Sequence, residues 1–351
     1  MTAAFQTPGP RDSLTDVAGL LVGHHHELDD ATMGSGSATG CTVVRALGGA
    51  TAAVDVRGGG PGTRETDLLD PSHSVQHVNA ILLTAGSAYG LAAADGVMRW
   101  LEEHGQGIPV GSPDHVVPIV PAAVIFDLPV GDWAARPTAE FGYLAAAAAA
   151  TEFATGSVGA GVGARAGVLK GGVGTASTVI EGGPADGVTV AALMVANPVG
   201  AVFDPRTGLL WGVGTLGPAA FGMRTPDVNQ LWAALALEPK GTALNTTIGV
   251  VATDAALSSA SCKRIAVAGH DGLARAIRPA HSPLDGDTIF AVSTGTRPVT
   301  AESTVPAAFS AELPVLAAVT EAAAIVVEKA IVRALLDATS VAGIPTYRQI
   351  F

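Results

Sequence analysis

The sequence predicts a mixed α/β fold in which stacked sheets lie between layers of helices. Three observations carry that reading. Short β-type runs alternate with glycine-rich turns from "VAGLLVGHHHE" to "CTVVRALGGATAAVDVRGGG". Alanine-rich stretches such as "TAEFGYLAAAAAATEF" read as helices whose small side chains allow close packing. Strands also outnumber the crossover helices that a doubly wound sheet needs, which favours sheets sandwiched by helices.

In chain order, residues 1–13 read as a loose tail ahead of the first strands. The stretch "HVNAILLTAGSAYGLAAADGVMRWLEEHG" predicts a strand, a Gly-Ser turn and a helix ending near His104-Gly105. The glycine-rich "GSVGAGVGARAGVLKGGVGTAS" precedes strands at "GVTVAALMVAN" and "GAVFD". A strand then follows "NTT", with a helix near 255–269, a strand at "TIFAVST" and a C-terminal helix through "PVLAAVTEAAAIVVEKAIVRALLDA". No fixed-period repeat divides the chain, so residues 1–351 are expected to form a single domain.

The chain has 351 residues, enough for a sizeable core, and only 14% of them are charged. Its mean hydropathy of +0.40 is high, yet no apolar run approaches the roughly 18 residues of a membrane helix. A large Ala/Gly-packed core plus apolar surface buried between subunits accounts for both, so a homo-oligomer is expected. The net charge is −12 and the 19 basic residues form no cluster, which excludes the basic footprint of a nucleic-acid binder. No basic segment followed by an apolar stretch opens the chain, and Cys41 and Cys262 are too few for a disulfide framework. The expected compartment is the cytoplasm, with no membrane partner.

Chemistry is concentrated in "GTALNTTIGVVATDAALS", where Asn245-Thr246-Thr247 stands directly before a buried β-branched run. Threonines at the start of a strand can serve β propensity alone, and the triplet also fits a glycosylation pattern that a cytoplasmic chain does not use. A threonine hydroxyl can, however, attack the preceding carbonyl and convert the peptide to an ester that water hydrolyses. The new N-terminus then carries its own base beside its hydroxyl, since an α-amine has a reference pKa of about 7.7–8.0.

Several blocks in one order bear on the choice: "DVAGLLVGH", "AVDVRGGGPGTRETDLLDP", "AILLTAGSAYGLAAADGV", "KGGVGTAS", "VANPVGAVFD", "NTTIGVVATDAALS" and "DGDTIFAV". Through them the chain resembles the DmpA-type family of self-processing aminopeptidases and amidases, over about residues 16–340. The resemblance implies a four-layer αββα sandwich, shared with ornithine acetyltransferases. It also implies cleavage between Asn245 and Thr246 into chains 1–245 and 246–351, commonly assembled as tetramers of αβ units. Thr246 would be the nucleophile. Asn197, otherwise an Asx-type turn residue before Pro198, would point its amide at the scissile carbonyl as an oxyanion donor.

Lys170 is one of only four lysines and sits among apolar and glycine residues, where a buried ammonium needs a carboxylate partner. By resemblance to the nylon-hydrolase branch it lies near the nucleophile and favours the neutral amine. Asp285 and Asp287, in an Asp-Gly turn before a strand, are expected to hold the Thr246 amine and Lys170. The same branch carries this Asp-x-Asp pair. Phe126 departs from the family, which often has a tyrosine there for oxyanion or substrate contact. Either that contact is dispensable or the substrate differs.

Three other features weigh little. His24, His25 and His26 do not supply the three or four converging ligands of a zinc site. "GVGARA" lacks the strand and helix of a dinucleotide loop, and "GGGPGTRET" lacks the Gly-Lys-Ser/Thr of a phosphate loop. Arg64 is expected to shape a turn near the site or an interface.

The sequence thus predicts a threonine N-terminal-nucleophile hydrolase that needs no metal or organic cofactor. The resemblance suggests short peptides or ω-amino-acid oligomers with a free amino end as substrates. Two rivals remain at this point: an acyltransferase like the ornithine acetyltransferases, and an uncleaved binding or scaffold protein.

Overall fold

The β-branched runs become strands and the alanine-rich runs helices in a computed structural model that describes residues 5–29, 31–240, 244–299, 305–306 and 308–351. The first part of the chain supplies β1 (Phe5–Thr7), β2 (Leu20–Leu28), β3 (Ala38–Val56), β4 (Thr63–Arg64), β5 (His77–Thr84) and helix α1 (Ala93–Glu103). After it come β6 (Ile108–Val110), β7 (Ser112–Val117), β8 (Ala122–Val124), α2 (Ala139–Ala147), β9 (Arg165–Ala166) and β10 (Leu169–Lys170). The remainder supplies β11 (Gly172–Glu181), β12 (Thr189–Ala196), α3 (Val228–Leu235), β13 (Ile248–Ala255), α4 (Ser259–Ala276), β14 (Thr288–Arg297), α5 (Leu313–Leu336) and α6 (Tyr347–Ile350).

Ten strands hydrogen-bond in the order β1-β11-β12-β13-β14-β3-β5-β8-β4, with β2 on the other edge of β3. The long strand β3 is the hinge of this path. Its first half pairs with β2 and β5, and its second half pairs with β14. Folding the path at β3 stacks two sheets face to face. Alternation along the strands shows the layers, because successive side chains point to opposite faces. On β3, Val44, Ala46, Ala52 and Val54 enter an inner apolar layer shared with Leu193 and Val195 of β12 and Phe290 of β14. Cys41 and Val43 face outward onto α1 and α2, while Ala53 and Ala192 face α4 and α5. The result is helices, sheet, sheet, helices: the expected αββα order.

Several local expectations change. The tail is not loose throughout, since Phe5–Thr7 adds a strand to β11, and Asp12 is met by Arg333 of α5. Helix α2 stops at Ala147 rather than running to Phe153, because Ala150 exchanges main-chain bonds of 2.9 and 3.0 Å with Val22 of β2. "GAVFD" makes only isolated bridges, Ala201 to Arg278 and Phe203 to Leu210. The glycine-rich stretch conceals β11. It lies directly beneath α5, and a Cβ on Gly174 would run into the helix backbone at Ala330 and Ala334. Close helix-on-sheet approach, not turn formation, uses the glycine there.

Candidate active site

Four neighbouring strands end or begin at one edge of the sandwich. Gly172 at the start of β11 pairs with Ala196 at the end of β12, Val195 pairs with Ile248 at the start of β13, and Ile248 pairs with Thr288 at the start of β14. Each strand therefore places the residue just beyond its end at the same place. Those residues are Lys170 before β11, Asn197 after β12, Thr246 before β13, and Asp285 and Asp287 before β14. This register explains why hydroxyls and an asparagine interrupt an otherwise apolar run. All of these side chains are buried.

Thr246 is anchored on both sides. Its N–H donates to Asn197 O at 3.2 Å, and its Oγ1 hydroxyl donates to the carbonyl oxygen of Asn245, the residue before it. A second donor, the Gly286 N–H at 3.0 Å, reaches that same Asn245 oxygen. Gly286 has to be glycine, since a Cβ there would stand 2.7 Å from Thr246 Oγ1. The Asp285-Gly286-Asp287 turn is itself held by the Gly58–Gly60 run after β3. Gly60 N–H donates to Asp285 O at 2.7 Å, and Arg57 N–H donates to Asp287 O at 2.9 Å.

Asp287 accepts the Thr247 N–H at 2.7 Å, and its other oxygen meets His281 Nδ1 at 2.9 Å and His281 N–H at 3.1 Å. Asp285 accepts the Ser282 N–H at 2.8 Å, and burial together with the Asp287 charge raises its pKa. The aspartates thus flank Thr246, but neither hydrogen-bonds Lys170, contrary to expectation. The Lys170 ammonium donates to Gly161 O at 2.8 Å and Gly171 O at 2.9 Å. Burial lowers its pKa to about 7, and the carboxylate that opposes this shift is Asp127. Asp127 is itself pushed up to about 7 by burial, with the Gly86 N–H and the charges of Lys240 and Lys170 pulling the other way.

Asn197 is also placed differently from the expectation. Its Oδ1 takes the Arg165 N–H at 2.9 Å and Lys240 Nζ at 2.8 Å, which fixes the amide orientation. Its Nδ2 donates to Phe126 O at 3.1 Å rather than to the Asn245 carbonyl, where Gly286 stands instead. Phe126 therefore reaches Asn197 through its main chain, while its half-buried ring lies edge-on to Trp133 with centroids 6.4 Å apart. Arg64 pairs with Asp95 of α1, and His24 with Thr42 and Ala154. Among the described residues no cluster of His, Cys, Asp and Glu could hold a metal ion.

Four site residues escaped sequence reasoning: Asp127, Lys240, His281 and Gly286. Two carried a legible signal. Asp127 is an acid inside the apolar "AAVIFDL", and Lys240 is another of the four lysines, just upstream of the triplet. His281 and Gly286 had none beyond their nearness to Asp287.

Comparison with known proteins gives this geometry a family. A sequence profile described as Peptidase family S58 matches residues 12–348. An uncharacterized aminopeptidase of Mycobacterium tuberculosis is 58% identical over 97% of this chain and 98% of its own length. A 6-aminohexanoate-oligomer endohydrolase of Kocuria sp. is 33% identical over 80% of this chain and 74% of its own length. Among solved structures, a β-aminopeptidase of Burkholderia sp. aligns with a TM-score of 0.72 at 24% identity, covering 99% of this chain and 94% of that one. The L-aminopeptidase D-Ala-esterase/amidase of Ochrobactrum anthropi, described as a variant of the Ntn hydrolase fold, aligns at 0.70 and 23%, covering 95% and 88%. With a profile matched over nearly all its length, this chain belongs to Peptidase family S58, the DmpA-type hydrolases of peptide and amide bonds.

Proposed function

We propose that the chain cleaves itself between Asn245 and Thr246 and then hydrolyses amides from the new Thr246 N-terminus. The observation that supports this most directly is the Asn245 carbonyl. Its oxygen carries both the hydroxyl of Thr246 and the N–H of Gly286. Attack by Thr246 Oγ1 on the Asn245 carbonyl carbon places negative charge on an oxygen that already has a fixed main-chain donor. Such a donor is typically worth ~3 kcal/mol in a transition state. The C–N bond breaks, the threonine nitrogen takes the hydroxyl proton, and an ester joins Asn245 to Thr246 Oγ1. Water then releases the Asn245 carboxylate.

In the processed enzyme the Thr246 amine takes the hydroxyl proton as Oγ1 attacks a substrate amide, and passes it to the departing amine. Water resolves the acyl-threonine ester. Asp287 positions the start of β13 through Thr247, Lys170 disfavours a protonated amine, and Asn197 serves the substrate oxyanion once its amide is freed from Phe126. The products are chains 1–245 and 246–351 within one domain. On intact-mass spectrometry, the purified protein should resolve into two polypeptides, one ending at Asn245 and one beginning at Thr246. A single 34.9 kDa species after prolonged incubation would overturn the reading.

The 6-aminohexanoate-oligomer endohydrolases among the relatives support short peptides or ω-amino-acid oligomers as substrates; the cytoplasm is the compartment proposed. Apolar side chains left exposed, among them Trp232 on α3, Phe309 in the turn before α5 and Leu313 at its first position, support assembly into homo-oligomers, a tetramer of αβ units being the form proposed. Light scattering should give a mass several times that of one chain, and a clean monomer would count against assembly. No helix among the described residues is long and apolar enough to cross a membrane.

A further inference from the structure

One imidazole close to the nucleophile is used in none of the steps above. His281 stands in the loop between α4 and β14, six residues before Asp287. Its backbone is left-handed, with φ at +56°. That conformation is uncommon outside glycine, although histidine enters it more readily than most residues. It turns both donors of the residue onto one atom: the His281 N–H at 3.1 Å and the ring Nδ1 at 2.9 Å meet Asp287 Oδ2. An ionised carboxylate only accepts, so Nδ1 carries the ring proton in this pair.

The other oxygen of the same carboxylate faces the nucleophile. Asp287 Oδ1 accepts the Thr247 N–H at 2.7 Å. That N–H lies in the planar peptide unit that begins at the Thr246 Cα, so tilting the plane swings Thr246 with it. The imidazole is backed from behind. It lies edge-on to His270 of α4, with centroids 4.8 Å and planes 73° apart. His270 is fully buried, and its Nε2–H donates to Asp55 O of β3 at 3.0 Å. Burial lowers the His270 pKa to about 4, so the wall behind His281 is a neutral ring at pH 7. A continuous line of contacts thus runs from β3 through His270, His281 and Asp287 to Thr247.

We infer that His281 is a positioning residue for the nucleophile: its Nδ1–H locks the Asp287 carboxylate in the orientation that aims Thr246 Oγ1 at the Asn245 carbonyl. It meets neither the scissile bond nor a substrate and acts only through Asp287. The inference rests on the proposed cleavage and adds a member to that site. A reacting group displaced by about 1 Å can cost on the order of 100-fold in rate, so a carboxylate released to turn about its own torsions is felt at Oγ1.

Three replacements separate the donor from the ring and from the backbone. His281→Asn keeps a side-chain N–H near the place of Nδ1 and suits the left-handed backbone. His281→Gly accepts that backbone without strain and keeps the main-chain donor, but has no side-chain donor. His281→Phe keeps a ring against His270 and likewise has no donor. Each chain is made by cell-free synthesis, and the fraction cut before Thr246 is followed with time by intact mass. The glycine and phenylalanine chains should be cut at least about tenfold more slowly than wild type, the scale of a hydrogen bond to a charged group. The asparagine chain should recover most of the rate. A ring that served packing alone would order the variants the other way, with phenylalanine the best of the three. A glycine or phenylalanine chain cut at the wild-type rate, or an asparagine chain no faster than the glycine one, overturns the role. Should the phenylalanine chain fail a thermal-melt check of its fold, glycine against asparagine carries the comparison. A wild-type chain that stays whole overturns the proposed cleavage and this role with it, whereas a cut wild type with unaffected variants overturns the role alone.

Discussion

A chain carrying Thr246→Ala is expected to remain full length, to fold, and to lose turnover by on the order of 10⁴-fold or more, as enzymes do when their nucleophile is removed. Both losses have one origin. The hydroxyl that donates to the Asn245 carbonyl is the group that would open that peptide bond and later attack substrate. The β13 strand behind it is paired on both sides, so the substitution leaves the scaffold its main-chain bonds. Intact mass and circular dichroism check the two halves of the expectation. An alanine variant still cut between residues 245 and 246 would sink the intramolecular mechanism.

Lys170→Met is expected to lower turnover by about 100-fold and to move the acid limb of the pH–rate profile upward. The sign follows from charge. The Lys170 ammonium disfavours a second cation nearby and so keeps the Thr246 amine pKa down. Without it that pKa rises, less of the amine is neutral near pH 7, and activity on the acid side is lost earlier. The substitution also removes the donor from Gly161 O and Gly171 O and takes from Asp127 one of the charges that lower its pKa. Combined with Asp127→Asn, the loss should be well below the sum of the two single losses, because both act on one buried pair. Normal turnover with an unmoved acid limb would remove Lys170 from the site.

The main strands and the long helices were legible because β-branched and alanine-rich runs report burial and period directly. Strand β11 was not, since the glycines that let it lie under α5 look like turn residues in one dimension. The candidate site was legible in part: Thr246 and Asn197 are polar residues at the edge of an apolar run, whereas the Asp285–Asp287 pair reads in sequence as an Asp-Gly turn and was singled out through the family resemblance. Which groups touch was not. The carboxylate facing Lys170 comes from the other sheet, after β8, and nothing near Lys170 in sequence points to Asp127. The Asn197 amide likewise has its direction set by Arg165 and Lys240, which no local pattern connects to it.

The strand order has a final consequence for a molecule cut before Thr246. Strands β13 and β14 would belong to the second piece, yet they lie between β12 and β3 of the first. The severed polypeptides would be interleaved like fingers of two hands, and hydrogen bonds on both flanks would have to break together before either could leave. Release would demand global unfolding. Reassembly would then require two chains to meet in solution, so recovery from heat or denaturant would depend on protein concentration. The uncut Thr246→Ala chain would refold as one polypeptide, free of that dependence. Processing would make the enzyme's endurance a matter of how slowly it opens, rather than how readily it re-forms.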